Sequence, residues 1–450
     1  MRLYDVEFCF KKTIGGFKMA KKMGSILAAV LLASTMTACS GGTKEEKSQP
    51  TAPKLEDNKP VELTAYLSGY THERFMTTFG DYIQKKYPNI TFKVLGGNNE
   101  KVPDLVAAGV KLDLIQSSVP ELIIDNGLQD DLTDLIKKYN YDLNKLEPAV
   151  LDLIRLIGDG KIYGFPNGVA TVALFYNKTL FNKFGISYPT NGMTWEQVFE
   201  LAKRLTRNEG GVQYQGFVDY TSYIANANQM SQGYVDPKTG KATLNNANWR
   251  KFMDNFIRFY SIPGNPYIPA VGDINNAFQK EQRIAMYAGQ FGAAAMTGLT
   301  NAGVDWGVVS LPEFAGYPGV GPGAQVPLFY VGKTAANRDW AFKAAAYLGS
   351  EEFQKESATK VGAVTAMRNR AEVMANYAKE VPAIPVDKKA PDAVPKTFAK
   401  PYAITPYDSL ARNEFLAAYT AVAKGDKDAN TALREAEEKA NAAIEAAKKK

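Results

Sequence analysis

Between residues 61 and 118 the period of the apolar positions changes four times, and this constrains the fold more than any other feature. Val61, Leu63, Ala65 and Leu67 occupy alternate positions, the signature of a strand. From His72 onward Phe75, Phe79, Tyr82 and Ile83 fall at helical spacing, and Pro88 follows. The stretch "ITFKVLG" reads as a second strand, "VPDLVAAGV" as a short helix and "DLIQSS" as the end of a third strand. Strand, helix, strand, helix, strand predicts an α/β body with a mostly parallel sheet and flanking helices. Ligands of such sheets sit beyond the carboxyl ends of the strands. That places Ser68-Gly69-Tyr70 and Gln116-Ser117-Ser118 at a binding edge.

The rest of the chain continues the alternation. "GLQDDLTDLIKKY" predicts an amphipathic helix, and 170–176 a strand followed by a helix. Thr194, with Gln197 three residues on, is a capping-box start for "WEQVFELAKRLT". "NWRKFMDNFIRFY" and "DINNAFQKEQ" read as helices, "RIAMYAGQFG", "DWGVVSLP" and "VPLFYVGK" as strands, and 339–348 and 428–450 as helices. "GVGPGA", 319–324, lacks the Gly-Lys-Ser/Thr end of a phosphate loop and reads as a flexible turn. Roughly 390 residues follow position 60, more than one core holds comfortably, so two lobes are expected.

The first 60 residues differ in kind. Lys21 and Lys22, the apolar run "ILAAVLLA" and small residues up to Ala38 describe a secretory signal peptide, too short to span a bilayer at roughly 20 residues. Met36-Thr37-Ala38-Cys39 resembles the lipobox of bacterial lipoproteins, with Met where Leu is usual. That resemblance implies cleavage before Cys39 and lipidation of its thiol. Residues 1–38 are then the signal peptide, and 1–18 read as an over-long gene model with translation starting at Met19 rather than Met1. Residues 39–60, almost without large apolar side chains, read as a flexible tether reaching about 25 Å. The formal charge of +6 includes six basic and two acidic residues from the first 38, so the mature chain is near +2. With no basic stripe interleaved with aromatics, nucleic acid is not an expected partner.

Catalytic sets are missing. His72 is the single histidine, with no G-x-S-x-G, H-E-x-x-H or C-x-x-C in the chain. The chain is read as a non-enzyme without cofactor or metal. A secreted glycosidase stays as a remote alternative, since any chain with 47 acidic residues offers carboxylate pairs. What abounds is aromatic: 24 Tyr, 23 Phe and 4 Trp. Rings at strand ends or in loops (Tyr70, Tyr220, Tyr223, Phe291, Tyr407) suit the apolar faces of a sugar while amides and hydroxyls pair its hydroxyl groups. Each ring is also open to a core role, and Ser117 and Ser118 to capping the next helix.

In order along the chain, "GKIYGFP", "LFYNKTLFNKFGI" followed by "TWEQV", "FQKEQRIAMYAGQFG", "WGVVSLP", "AFKAAAYLGSEEFQKESATKVGAVTA" and "ALREAEEKANAAI" resemble the solute-binding lipoproteins of ABC importers. That family includes the maltodextrin-binding proteins, and the resemblance covers roughly residues 60–450. Thr365 departs from it, standing where a proline is common. The resemblance implies a two-lobed, periplasmic-binding-protein-like fold with a hinge of about three crossover strands. Lobe 1 would comprise 61–164 and 305–361, and lobe 2 165–304 and 362–450. It implies a monomer, held on the extracellular face of the cell membrane by its lipid anchor. It would capture a carbohydrate in the cleft and deliver it to the permease subunits of an ABC transporter. By family position Phe291, beside Gln290, would stack on sugar. Ser117 with Ser118 would touch ligand from lobe 1, Asn167 follows the crossover, and Tyr407 lies near a further cleft aromatic. A polyamine, peptide or phosphonate is the alternative solute, and Asp219 beside Tyr220 and Tyr223 would suit a cationic one.

Overall fold

The computed structural model of the protein describes residues 59–97, 100–389 and 391–449. The signal peptide, Cys39 and nearly all of the tether lie outside the described residues.

Two sheets organise the body. In the first, Val61–Leu67 lies between Ile90–Leu95 and Leu114–Ser117, parallel to both. Leu328–Val331 then runs antiparallel to Leu114–Ser117 and to Gly164–Pro166 at the edge. In the second, Thr171–Asn177 pairs antiparallel with Trp306–Ser310 on one side and Met286–Phe291 on the other, with Val218–Asp219 beyond. Trp306–Ser310 therefore belongs with the second sheet, which corrects the expected lobe boundary at 305. The chain returns to the first sheet only after 323–327.

The central strand of the second sheet is buried on both faces, as its near-continuous apolar run requires. All seven residues of Thr171–Asn177 are buried. Ala173 and Phe175 face an apolar cluster that continues onto the first sheet, while Val172, Leu174 and Tyr176 face a second cluster of helices. In that second cluster the Thr194–Gln197 capping box sets the entry of Trp195–Leu205 and drives Trp195 inward. Its ring meets Phe256 edge-on at 4.7 Å, and its indole N–H donates to Gln229 Oε1 at 3.3 Å. The geometry suits the ring quadrupoles and leaves the buried donor satisfied. The terminal helix Ala429–Ala447 is capped by Asp428 and lies against Asp408–Ala423.

Three segments run side by side between the sheets. Asn167 N–H donates to Pro327 O at 3.3 Å, Ala170 and Gln325 exchange two backbone bonds of 2.7 and 3.0 Å, and Val169 N–H donates to Val364 O at 2.8 Å. The buried amide of Gln354 ties two of them together. Its Nε2 donates to Pro166 O (3.0 Å), and its Oε1 accepts from Thr365 Oγ1 (2.7 Å) and Ala366 N (2.6 Å). Thr365 thus supplies a hydroxyl that a proline at that position could not. Residues 366–368 bond to the start of Pro148–Ile157 and the turn before it, through Glu147 N–H to Ala366 O and Arg368 N–H to Lys145 O, both 2.8 Å.

Two local expectations change. The helix expected over 127–139 is confined to Thr133–Lys138, because Gln129 makes a bridge to Gly332 before it. "GVGPG" is not a loose turn: Val320–Gly323 pairs in parallel with Thr397–Ala399.

Candidate functional site

The carboxyl end of Leu114–Ser117 opens the site. Ser117 Oγ accepts from Val119 N–H (2.9 Å) and donates to Val119 O (3.0 Å), a closed side-chain turn. The turn leaves Ser118 exposed and leads through Pro120 into Glu121–Ile124. Beside it Pro148–Ile157, begun by a proline at its first position, buries Val150, Leu151 and Ile154 and turns Ala149 and Ile157 to a cavity.

That cavity, about 160 Å³, is closed from the other side by Asn226, by Ala324 and Gln325 of the crossing, and by the loop from Ala399 to Ile404. A second, of about 250 Å³, adjoins it. The two share Ser118, Pro120, Asn226, Tyr402 and Ile404, and the second adds Glu121, Asp125, Asp408 and Arg412.

Tyr402 is the aromatic at their junction. Its hydroxyl donates to Asn226 O at 3.4 Å, and its ring meets Tyr234 edge-on at 6.4 Å. Gly233 lies flat against it: a Cβ there would come within 3.2 Å of the ring. Asn226 Oδ1 accepts from Tyr234 OH at 3.0 Å, which orients its amide. The loop behind is fixed by Asn228, whose Nδ2 donates to Ala225 O and Gln232 O, both at 3.0 Å. Gly323 N–H donates to Ala227 O at 2.9 Å, joining that loop to the crossing.

The charges in the second cavity are unusual. Burial pushes the Glu121 carboxyl up; Asp125 adds to the shift, and Arg412 opposes it. Asp408 is pushed up to about 6, first by burial and further by Glu121, while the Thr405 hydroxyl and N–H and Arg412 hold it down. Thr405 Oγ1 donates to Asp408 Oδ1 at 2.7 Å. Arg412, half-buried, forms no hydrogen bond or ion pair among the described residues. No group of three or more His, Cys, Asp or Glu side chains there is placed to hold a metal ion.

The residues expected from sequence fall in several places. Ser118 lines both cavities, and Ser117 shapes the turn beneath it. Asn167 lies on the first crossing, its Oδ1 buried without a partner. Tyr70 stands at the carboxyl end of its strand, half-buried, with the Arg74 guanidinium 4.1 Å above its ring. Gln290 is exposed at the end of its strand. The remaining ones are displaced from the cavities. Asp219 is 2% exposed, and its carboxylate accepts from Thr221 Oγ1 and Tyr260 OH (both 2.5 Å) and Tyr419 OH (2.7 Å). It is a core anchor, enclosed away from any solute. Tyr220 is buried, donates to Asn275 Oδ1 and stacks on Tyr287, with Tyr223 6.0 Å away. Phe291, 3% exposed, stacks on Tyr377 at 6.0 Å, so its face is already covered. Tyr407 caps Asp408–Ala423 and points toward Lys448, whose Nζ is 5.7 Å from its ring.

Glu121, Asn226, Gln325, Tyr402 and Arg412 were not anticipated. For Tyr402 a signal existed. Thr405-x-x-Asp408 marks a helix start, with Tyr407 at its cap and Tyr402 in the loop before it. The other four owe their place to contacts between distant segments.

Residues 79–385 match the family model described as bacterial extracellular solute-binding protein. Among curated proteins, the arabinooligosaccharide-binding protein of Bacillus subtilis (strain 168) is 27% identical over 242 residues, covering 49% of this chain and 50% of that protein. The galactooligosaccharide-binding protein of the same organism is 25% identical over 308 residues, covering 64% and 67%. The chain thus spans about half the length of the first of these relatives. A sugar transporter from Rhizobium etli, solved in an open conformation, superposes with a TM-score of 0.68 at 20% identity, over 84% of this chain and 99% of that one.

Proposed function

Because this chain belongs to the bacterial extracellular solute-binding protein family, we propose that it captures a carbohydrate, an oligosaccharide by preference, in the cleft between its lobes. It then hands the sugar to the membrane subunits of an ABC importer without altering it. The observation that carries the reading is the pair of adjoining cavities joined at Tyr402, with a ring for a sugar face and Asn226, Gln325 and Ser118 for its hydroxyls. Two relatives are named for oligosaccharide binding. The lobes would close by bending at the three adjacent segments. Cys39, lipidated, would moor a monomer to the outer face of the membrane, and no helix among the described residues is long and apolar enough to cross it. Labelling with palmitate, lost in Cys39→Ala, tests the anchor.

The solute is tested by melting the protein with arabino-, galacto- and maltooligosaccharides. A ligand at 100 times its Kd stabilises by about 2.7 kcal/mol, a readily visible rise in Tm. No rise with any sugar contradicts the reading. The carboxylates of Glu121, Asp125 and Asp408 favour a second reading, a cationic solute such as a polyamine, which belongs in the same panel.

A further inference from the structure

The second cavity carries opposite charges on opposite walls. Glu121 stands on the short helix that follows the first sheet's strand Leu114–Ser117, and Arg412 on Asp408–Ala423, across the cavity. Each lies within the other's electrostatic reach, since Arg412 opposes the upward shift of Glu121. Yet no ion pair joins them, and neither finds one on its own side. Asp408, one turn before Arg412, gives its Oδ1 to the Thr405 hydroxyl and N–H; Arg412 holds its carboxyl down through space, but the two form no ion pair. Asp125, one turn after Glu121, has the same sign.

Both groups are half-buried already. A cleft that shut on them would remove more water, and a charge buried without a partner costs several kcal/mol. The solute must therefore satisfy both signs at once. An anion pairs with Arg412 but stands against Glu121, Asp125 and Asp408. A cation does the reverse and leaves the guanidinium stranded. A neutral diol does neither harm, because one hydroxyl donates to the carboxylate while its neighbour accepts from the guanidinium.

We propose that Glu121 and Arg412 form a two-signed jaw that selects an uncharged polyhydroxyl solute over its anionic and cationic analogues. This rests on the carbohydrate reading above and deepens it. It also removes the polyamine alternative, since Arg412 would be buried against a second cation.

Calorimetric titration of the full-length protein with three oligomers matched in length tests the idea: galactooligosaccharide, oligogalacturonate and oligogalactosamine. The neutral oligomer is expected to bind at least tenfold more tightly than either charged one. Glu121→Gln and Arg412→Gln should each weaken the neutral oligomer roughly tenfold. Glu121→Gln should narrow the gap to the anionic oligomer, and Arg412→Gln the gap to the cationic one. A merely structural defect would not produce that crossed pattern. Should either variant fail to fold, discrimination by the wild type decides. Binding of all three within twofold overturns the jaw and spares the carbohydrate reading, whereas binding of none overturns both.

Discussion

At the scale of single residues, two carboxylates do opposite things. Asp219 is wholly enclosed, and burial pushes its carboxyl up against the pull of three hydroxyl donors. Replacing it by alanine leaves the hydroxyls of Thr221, Tyr260 and Tyr419 without their acceptor. At about 1–3 kcal/mol for each buried orphan, Asp219→Ala should lose at least 3 kcal/mol in urea unfolding, with no specific effect on solute binding beyond that loss. Asp408 lies at the cavity wall, facing Glu121, Arg412, Thr405 and Tyr402. Its folded pKa, about 6, is above the ordinary 3.8. The neutral acid is therefore the form the fold favours. The stability it contributes is complete below about pH 4 and is lost as pH rises through 6. Two units at about 1.4 kcal/mol each make a penalty of roughly 3 kcal/mol at neutral pH. Asp408→Asn keeps the acceptor for Thr405 without the charge. Its unfolding free energy should gain on that of the wild type between pH 4 and 7; a constant difference across that range would contradict the assignment.

At the scale of elements, Gln354 shows how a helix governs the crossing segments. One amide holds the end of Gly164–Pro166 and the turn at Thr365–Ala366. Gln354→Ala removes the amide partner of the Pro166 carbonyl, the Ala366 N–H and the Thr365 hydroxyl, which keeps only the Met367 N–H, and about 3 kcal/mol should be lost. Gly168 sits beside it at φ +150°, where a Cβ would stand 2.9 Å from Val364 O, the acceptor of the Val169 N–H. This is also the scale at which the sequence was most legible. The strand from Val61, the capping box at Thr194 and the terminal helix after Asp428 are local patterns with local physical causes, and the structure has them. Leu328–Val331 was legible as a strand, but not its antiparallel place between Leu114–Ser117 and Gly164–Pro166. Neighbour choice rests on pairing across more than 150 residues. The same cause misplaced Trp306–Ser310. For the site, strand ends pointed to Ser118, while aromatic content alone could not separate Tyr402 from Phe291. Both are rings near loops, and only packing against Gly233 or Tyr377 tells them apart.

At the scale of the whole molecule, two sheets, each with its own helices, meet along three bonded segments with cavities beside them. A body built this way bends where few bonds hold it and stays rigid within each core. Saturating solute should then shrink the radius of gyration in small-angle scattering, whereas a profile unchanged by a bound sugar would argue against closure. The account as a whole stands on a sugar lying against Tyr402. The most direct measurement is calorimetric titration of neutral arabino- and galactooligosaccharides into the wild-type protein and into Tyr402→Ala. Loss of one stacking ring, worth about 1.4 kcal/mol or more, should weaken binding at least tenfold while the fold persists. Equal affinity in the two proteins, or no heat from any sugar, would contradict it.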